Sequence, residues 1–187
     1  RKPSPQWDGK NENLVVPRFE DMAIHCGITD TYNGRGIAVA DYDDDGDIDM
    51  YVANQGAPNC FYRNDFYSGD KQGLSTDTHW LGIYLVGDPH LARHVGDRVF
   101  ATSADALGTR VELWVRGTRT IREVTQCDGF ASESEKRLNF GLGSTQAIDS
   151  LVVDWPSGRR EVLRGTGLPI DRYHTIREAR GIIDLAT

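Results

Sequence analysis

The chain has 187 residues, with 21 basic and 28 acidic side chains and a formal net charge of −7 at pH 7. That length fits one or two small domains, and no run of about 18 apolar residues occurs, which excludes a membrane-spanning helix. Six aspartates within residues 41–49 carry nearly all the net acidity, so the remainder is close to neutral and lacks the basic stripe that grips nucleic acid.

Residues 1–18 read as an extended N-terminal segment, because Pro3, Pro5 and Pro17 forbid regular structure around the short apolar patch Leu14, Val15 and Val16. The opening Arg1 in place of Met reads as a mature product or a fragment. From Gly36 the pattern is strand, acidic loop, strand: Ile37 and Val39 alternate, the aspartates follow, and Ile48, Met50 and Val52 alternate again. Residues 63–78 are polar and read as a linker or long loop. The second half is a succession of short strands. Trp80–Val86 comes first, followed by a loop-like insertion between Gly87 and Leu107. Val111, Leu113 and Val115 then share one face, with Arg110, Glu112 and Arg116 opposite. Gly117 turns the chain into 118–125, and Leu138, Phe140 and Leu142 alternate next. Leu151, Val153 and Trp155 follow, and Pro156-Ser157-Gly158 is a turn signal before Glu161–Leu163. No stretch has a sustained helical stripe. The expected class is all-β, with a sandwich or barrel in the second half.

Residues 41–49 have the form DxDxDGxxD. Carboxylates this close repel strongly unless a cation sits among them. Hard oxygen donors select calcium (Ca2+) over zinc, and an all-protein cage disfavours magnesium. The side chains of Asp41, Asp43, Asp45 and Asp49 would supply oxygens, Asp47 its backbone carbonyl, and Gly46 the sharp turn. Asp44 is expected to face water. Val52 stands where an EF-hand would place its glutamate, and the flanks read as strands, so this is no EF-hand. The competing reading is a solvated acidic turn without an ion.

These residues resemble known modules. Phe19-Glu20-Asp21, Gly27-Ile28, Arg35 through Asp41 and Tyr51 through Asn54 look like one FG-GAP/VCBS repeat, the calcium-binding blade unit of integrin-type β-propellers. The segment Asn59–Asn64 is similar to the part that closes such a unit. Later segments resemble the ASPIC/UnbV domain of cartilage acidic protein and enediyne gene clusters. They are His79-Trp80-Leu81, Ala106–Val111, Arg122-Glu123-Val124, Gly129-Phe130, Arg137–Gly143 and Val153–Gly158. The resemblance implies an FG-GAP-type β unit over residues 19–70 packed with an ASPIC/UnbV β domain over 77–178, and a tail at 179–187. Family members usually carry several repeats where this chain has one, and the insertion at 88–105 is longer than the family pattern. A lone blade cannot cover its own face or edges, so it must pack on the second half or on another copy.

Cys26 and Cys60 both fall in the first of these units and are the preferred disulfide, the alternative being that they and Cys127 are all buried free thiols. His90 and His94 are four apart but sit among Gly and Pro with no third ligand, so they read as surface histidines. The serines lack a nucleophile elbow or a His/Asp context, and no acid, base and nucleophile converge, so an enzyme is not expected. Asp128 and Glu133 read as a solvated hairpin. Trp114, on the polar face of its strand, would be exposed and favour an interface. No N-glycosylation sequon is present.

The function these features lead to is a non-enzymatic, extracellular, calcium-stabilised β-module with a structural or adhesive role. Self-association into a homo-oligomer or filament would use strand exchange through Leu14-Val15-Val16 or Ile182, Ile183 and Leu185, unless both tails fold back on their own domain. Two other readings stand beside it. One is an accessory or biosynthetic protein of the enediyne-cluster UnbV type, and the other a glycan- or ligand-binding module of a larger chain.

Overall fold

The computed structural model describes residues 19–66, 77–126, 129–164 and 167–183. Leu14, Val15, Val16, Cys127, Asp128 and Leu185 lie outside them. The chain divides into two compact units, residues 1–31 and 32–187. In the first, residues 22–28 close a tight turn: Cys26 N–H donates to the Met22 carbonyl at 2.9 Å and Ile28 N–H to that of Ala23 at 2.8 Å.

In the second unit every regular element among the described residues is a strand. Gly34–Ala40 (β1), Asp49–Asn54 (β2) and Cys60–Tyr62 (β3) pair antiparallel, in that order. The register aligns Val39, Met50 and Tyr62 on one face and Ala38, Tyr51 and Phe61 on the other. The apolar alternation on either side of the aspartates therefore does form two strands, with the acidic segment as their connection.

The remaining strands are His79–Val86 (β4), Arg93–Val95 (β5), Arg98–Phe100 (β6), Arg110–Val115 (β7), Thr118–Glu123 (β8), Leu138–Gly143 (β9), Ser150–Asp154 (β10), Arg160–Arg164 (β11), Tyr173–Arg177 (β12) and Gly181–Ile182 (β13). Apart from the β5–β6 ribbon they form two four-stranded sheets, β11-β10-β7-β8 and β13-β12-β4-β9. Leu81, Ile83, Leu85, Phe140 and Ile176 from one sheet meet Val111, Leu113, Leu151 and Val153 from the other in a single core. None of these nine is more than 2% exposed. Burial of each such side chain contributes about 1.5–3 kcal/mol before entropy is counted, so this core dominates the stability of the unit. The all-β expectation holds, and its second half is a sandwich of two sheets.

Several expectations are corrected. The insertion after Gly87 holds the ribbon β5–β6, so His94 lies in a strand; His90 and His94 are both exposed, as surface histidines should be. Strand β12 runs parallel to β4 and lies in the middle of its sheet, where no strand was expected. Its inward positions are His174, Ile176 and then Glu178, all 0% exposed, so polar residues at two of three core positions hide the alternation. The Ile182–Ile183 segment folds back: Ile182 pairs with Ile176, and Ile183 N–H donates to the Thr175 carbonyl at 2.8 Å. These residues already satisfy their own sheet and are not free donor strands. Trp114 is half-buried, with the Arg119 guanidinium 5.8 Å from its ring centroid, and neighbouring Glu112 is buried between Arg110 and Arg119. Ion pairs and the Arg119 guanidinium cover part of that face. Cys26 and Cys60 are not bridged to each other. Cys60 Sγ instead faces the Asn54 side-chain amide at 3.7 Å, and Cys26 is exposed, so neither the bridge nor a buried Cys26 is realised.

Candidate metal centre

The segment between β1 and β2 is wound around its own carboxylates. Asp41 Oδ1 accepts from Asp45 N–H at 3.1 Å and its Oδ2 from Gly46 N–H at 2.8 Å. Asp45 Oδ1 accepts from Asp47 N–H at 2.9 Å. At the far end, Asp49 Oδ2 takes Tyr42 N–H at 3.1 Å and Oδ1 takes Asn64 N–H at 2.7 Å, which ties the loop to the segment after β3. Acidic side chains at every fourth position thus supply the acceptors that a tight turn otherwise lacks. Gly46 sits at φ +93, and a Cβ there would lie 2.2 Å from the Trp80 indole, so only glycine fits.

The winding brings one oxygen each of Asp41, Asp43 and Asp49 within 4.8 Å of one another. Asp41 and Asp49 are buried, while Asp43 is exposed and lies 3.8 Å from Arg63. Desolvation, with the charges of Asp45 and Asp49 added to it, raises the Asp43 carboxyl above its ordinary range. Asp45 stands outside the three-residue cluster, and its Oδ2 is buried without a hydrogen-bond partner. Asp47 is buried beside it. Of the four side chains expected to converge, three do. Asp44 is exposed, at φ +60, but it is ion-paired with Arg137 instead of facing water alone.

A hard divalent cation fits this donor set. Every candidate ligand is an oxygen, and a carboxylate oxygen that accepts one N–H keeps a second lone pair. On Asp41 that capacity lies on Oδ1, since Oδ2 already takes both Gly46 N–H and the Tyr173 hydroxyl. The partnerless Asp45 Oδ2 is a further buried oxygen that a cation or its water would satisfy.

Three residues of the sandwich hold the loop, and the acidic motif alone gives no sign of them. Tyr173 donates its hydroxyl to Asp41 Oδ2 at 2.7 Å. Burial and that hydrogen bond push the phenol well above its ordinary value, so it stays a donor. Arg137 reaches the Asp41 carbonyl and the Asp44 and Glu135 carboxylates, and its guanidinium lies 4.1 Å from the Tyr173 ring centroid. Burial opposes its charge, but the bonds to Asp44 and Glu135 outweigh that and hold it protonated. Trp80 packs edge-to-face on Tyr173 at 5.1 Å, with Gly46 against its indole. Trp80 and Arg137 fall within the segments that carry the ASPIC/UnbV resemblance, which is the signal that points to them. Tyr173 falls in none of these segments.

The edge of β1 is covered as well. Val39 N–H donates to Ser134 Oγ at 3.3 Å, Glu135 N–H to the Val39 carbonyl at 3.1 Å, and Asp41 N–H to Glu135 Oε1 at 2.8 Å. The lone three-stranded sheet therefore packs on the second half of its own chain. Glu133 is exposed and pairs with Lys136 at 3.4 Å.

Comparison with known proteins agrees with part of this reading. The family model described as ASPIC and UnbV matches residues 100–183, from the end of β6 through β13. Residues 100–183 are thus similar to an ASPIC/UnbV domain, while the acidic loop and its three-stranded sheet lie outside the match. No curated protein matches the chain.

Proposed function

We propose that the chain is a non-enzymatic binding module of the ASPIC/UnbV type, in which a calcium ion held by Asp41, Asp43 and Asp49 fastens the three-stranded sheet to the sandwich. The convergence of three carboxylate oxygens within 4.8 Å, beside a buried partnerless Asp45 oxygen, carries this reading. The ion does no chemistry in it. It neutralises the repulsion among the aspartates and stabilises the folded state in proportion to its excess over the dissociation constant. An extracellular setting, where calcium is abundant, suits a site with an exposed ligand such as Asp43.

The test is a thermal melt in calcium and in excess chelator. Calcium is expected to raise the melting temperature by several degrees, and Asp43→Asn to remove most of that rise. Equal melting temperatures for the unaltered protein in both buffers would sink the calcium assignment.

A second reading, self-association, is favoured by the exposed apolar side chains Tyr51 and Phe61 on one face of the three-stranded sheet. It would use that sheet, because Ile182 and Ile183 are already paired within the chain.

A further inference from the structure

A second site lies away from the acidic loop, where the turn joining β10 and β11 faces the segment leading into β5. The turn is tightly specified. Gly158 N–H donates to the Trp155 carbonyl at 2.8 Å, Trp155 N–H donates to that of Arg159 at 2.9 Å, and Gly158 takes φ +85. Beneath it Ser157, only 4% exposed, hydrogen-bonds Glu178 Oε1 and accepts from Arg159 N–H at 3.3 Å. Asp88 N–H donates to the other oxygen of Glu178 at 3.0 Å. This buried network fixes the floor of a hollow of about 510 Å3 lined by His90, Arg93, Ser157, Gly158 and Arg159, with Leu91 and Ala92 on its side.

The lining is cationic and holds no carboxylate. The nearby acids lie outside the lining and accept from hydroxyl or backbone donors: Asp88 accepts from His90 N–H at 3.0 Å, Glu161 from Ala179 N–H at 2.7 Å, and Glu178, beneath the floor, from Ser157 and Asp88. Among the described residues no acidic side chain forms an ion pair with Arg93 or Arg159. Arg93 is brought in by the glycine: its Nη1 lies 2.9 Å from where a Cβ on residue 158 would stand. Two arginines and a histidine thus border one cavity of the size that takes a small molecule.

We propose that this hollow binds a small polyanion bearing phosphate or carboxylate groups, with Arg93 and Arg159 as its main ligands and His90 as an added donor. Planar guanidinium groups hydrogen-bond either oxyanion in pairs, which sets this cavity apart from a merely basic surface. The inference is independent of the calcium reading and is tested without that ion.

The experiment is calorimetric titration of the full chain at low ionic strength in calcium-free buffer, with inorganic pyrophosphate in one arm and citrate in the other. Saturable one-site binding of either probe is expected, and the arm that binds tells phosphate from carboxylate preference. Arg93→Gln and Arg159→Gln should each weaken it by about tenfold, and the double variant should abolish it. Arg122→Gln, on exposed strand β8, is the control for diffuse charge and should leave it unchanged. Both lining arginines are exposed, so the variants should fold normally, which near-UV circular dichroism checks. No saturable binding of either probe, or equal weakening by Arg122→Gln, would overturn the site.

Discussion

Gly46 and Tyr173 do different work in the same joint. At Gly46 two independent demands meet, a backbone at φ +93 and the Trp80 indole where a side chain would begin. Gly46→Ala must therefore strain the loop and displace the indole together, and a loss of about 2–4 kcal/mol is expected in chemical denaturation. Tyr173 contributes a hydroxyl to the buried Asp41 carboxylate. Tyr173→Phe keeps the ring against Trp80 and Arg137 and removes only that bond, so a smaller loss of about 1–2 kcal/mol is expected. If Gly46→Ala proved no more costly than Tyr173→Phe, the close packing of the loop on Trp80 would be wrong.

Among the elements, β13 is short but closes an edge. It lies beside β12, which places Ile176 in the core and leads into Glu178 under the β10–β11 turn. Deleting 180–187 uncovers that edge, removes the Ile183-to-Thr175 hydrogen bond and should cost about 1–2 kcal/mol. Because the strand pairs within its own chain, the sedimentation coefficient should stay that of the same assembly. A change in assembly size on deletion would show that the tail also joins copies. The three-stranded sheet illustrates the same rule from the other end. Its β1 edge is met by residues 134–135, and its connecting loop is gripped by Tyr173, Arg137 and Trp80. A sheet of three strands that could not stand alone is completed by a neighbour in the same chain.

For the molecule as a whole, the consequence is a unit that needs no second copy to satisfy its joint. Sedimentation velocity is therefore expected to give the mass of a single chain in calcium and in chelator alike. Larger species that vanish on chelation would instead favour association through Tyr51 and Phe61. In the proposed reading, calcium would act on stability within one chain and not on assembly.

The sequence by itself determined the all-β class, most strands of the sandwich and the place of the acidic loop between two strands. Period-two alternation of apolar residues and the DxDxDGxxD spacing are local patterns, and local patterns survive in a string of residues. The ASPIC/UnbV resemblance was legible for the same reason, in short segments spread over the second half. What tertiary structure alone decided is how distant positions meet. Tyr173 stands 132 residues from Asp41, and Arg137 stands 93 from Asp44. Nothing in either neighbourhood encodes that they touch. Strand β12 is hidden because its buried position His174, and Glu178 just past its end, are polar, which only partners from distant or looped segments make tolerable: the Pro169 carbonyl accepts from His174 and Asp88 N–H donates to Glu178. The cationic hollow was hidden likewise, since Arg93 and Arg159 become neighbours only when Gly158 lets one guanidinium lie across its backbone.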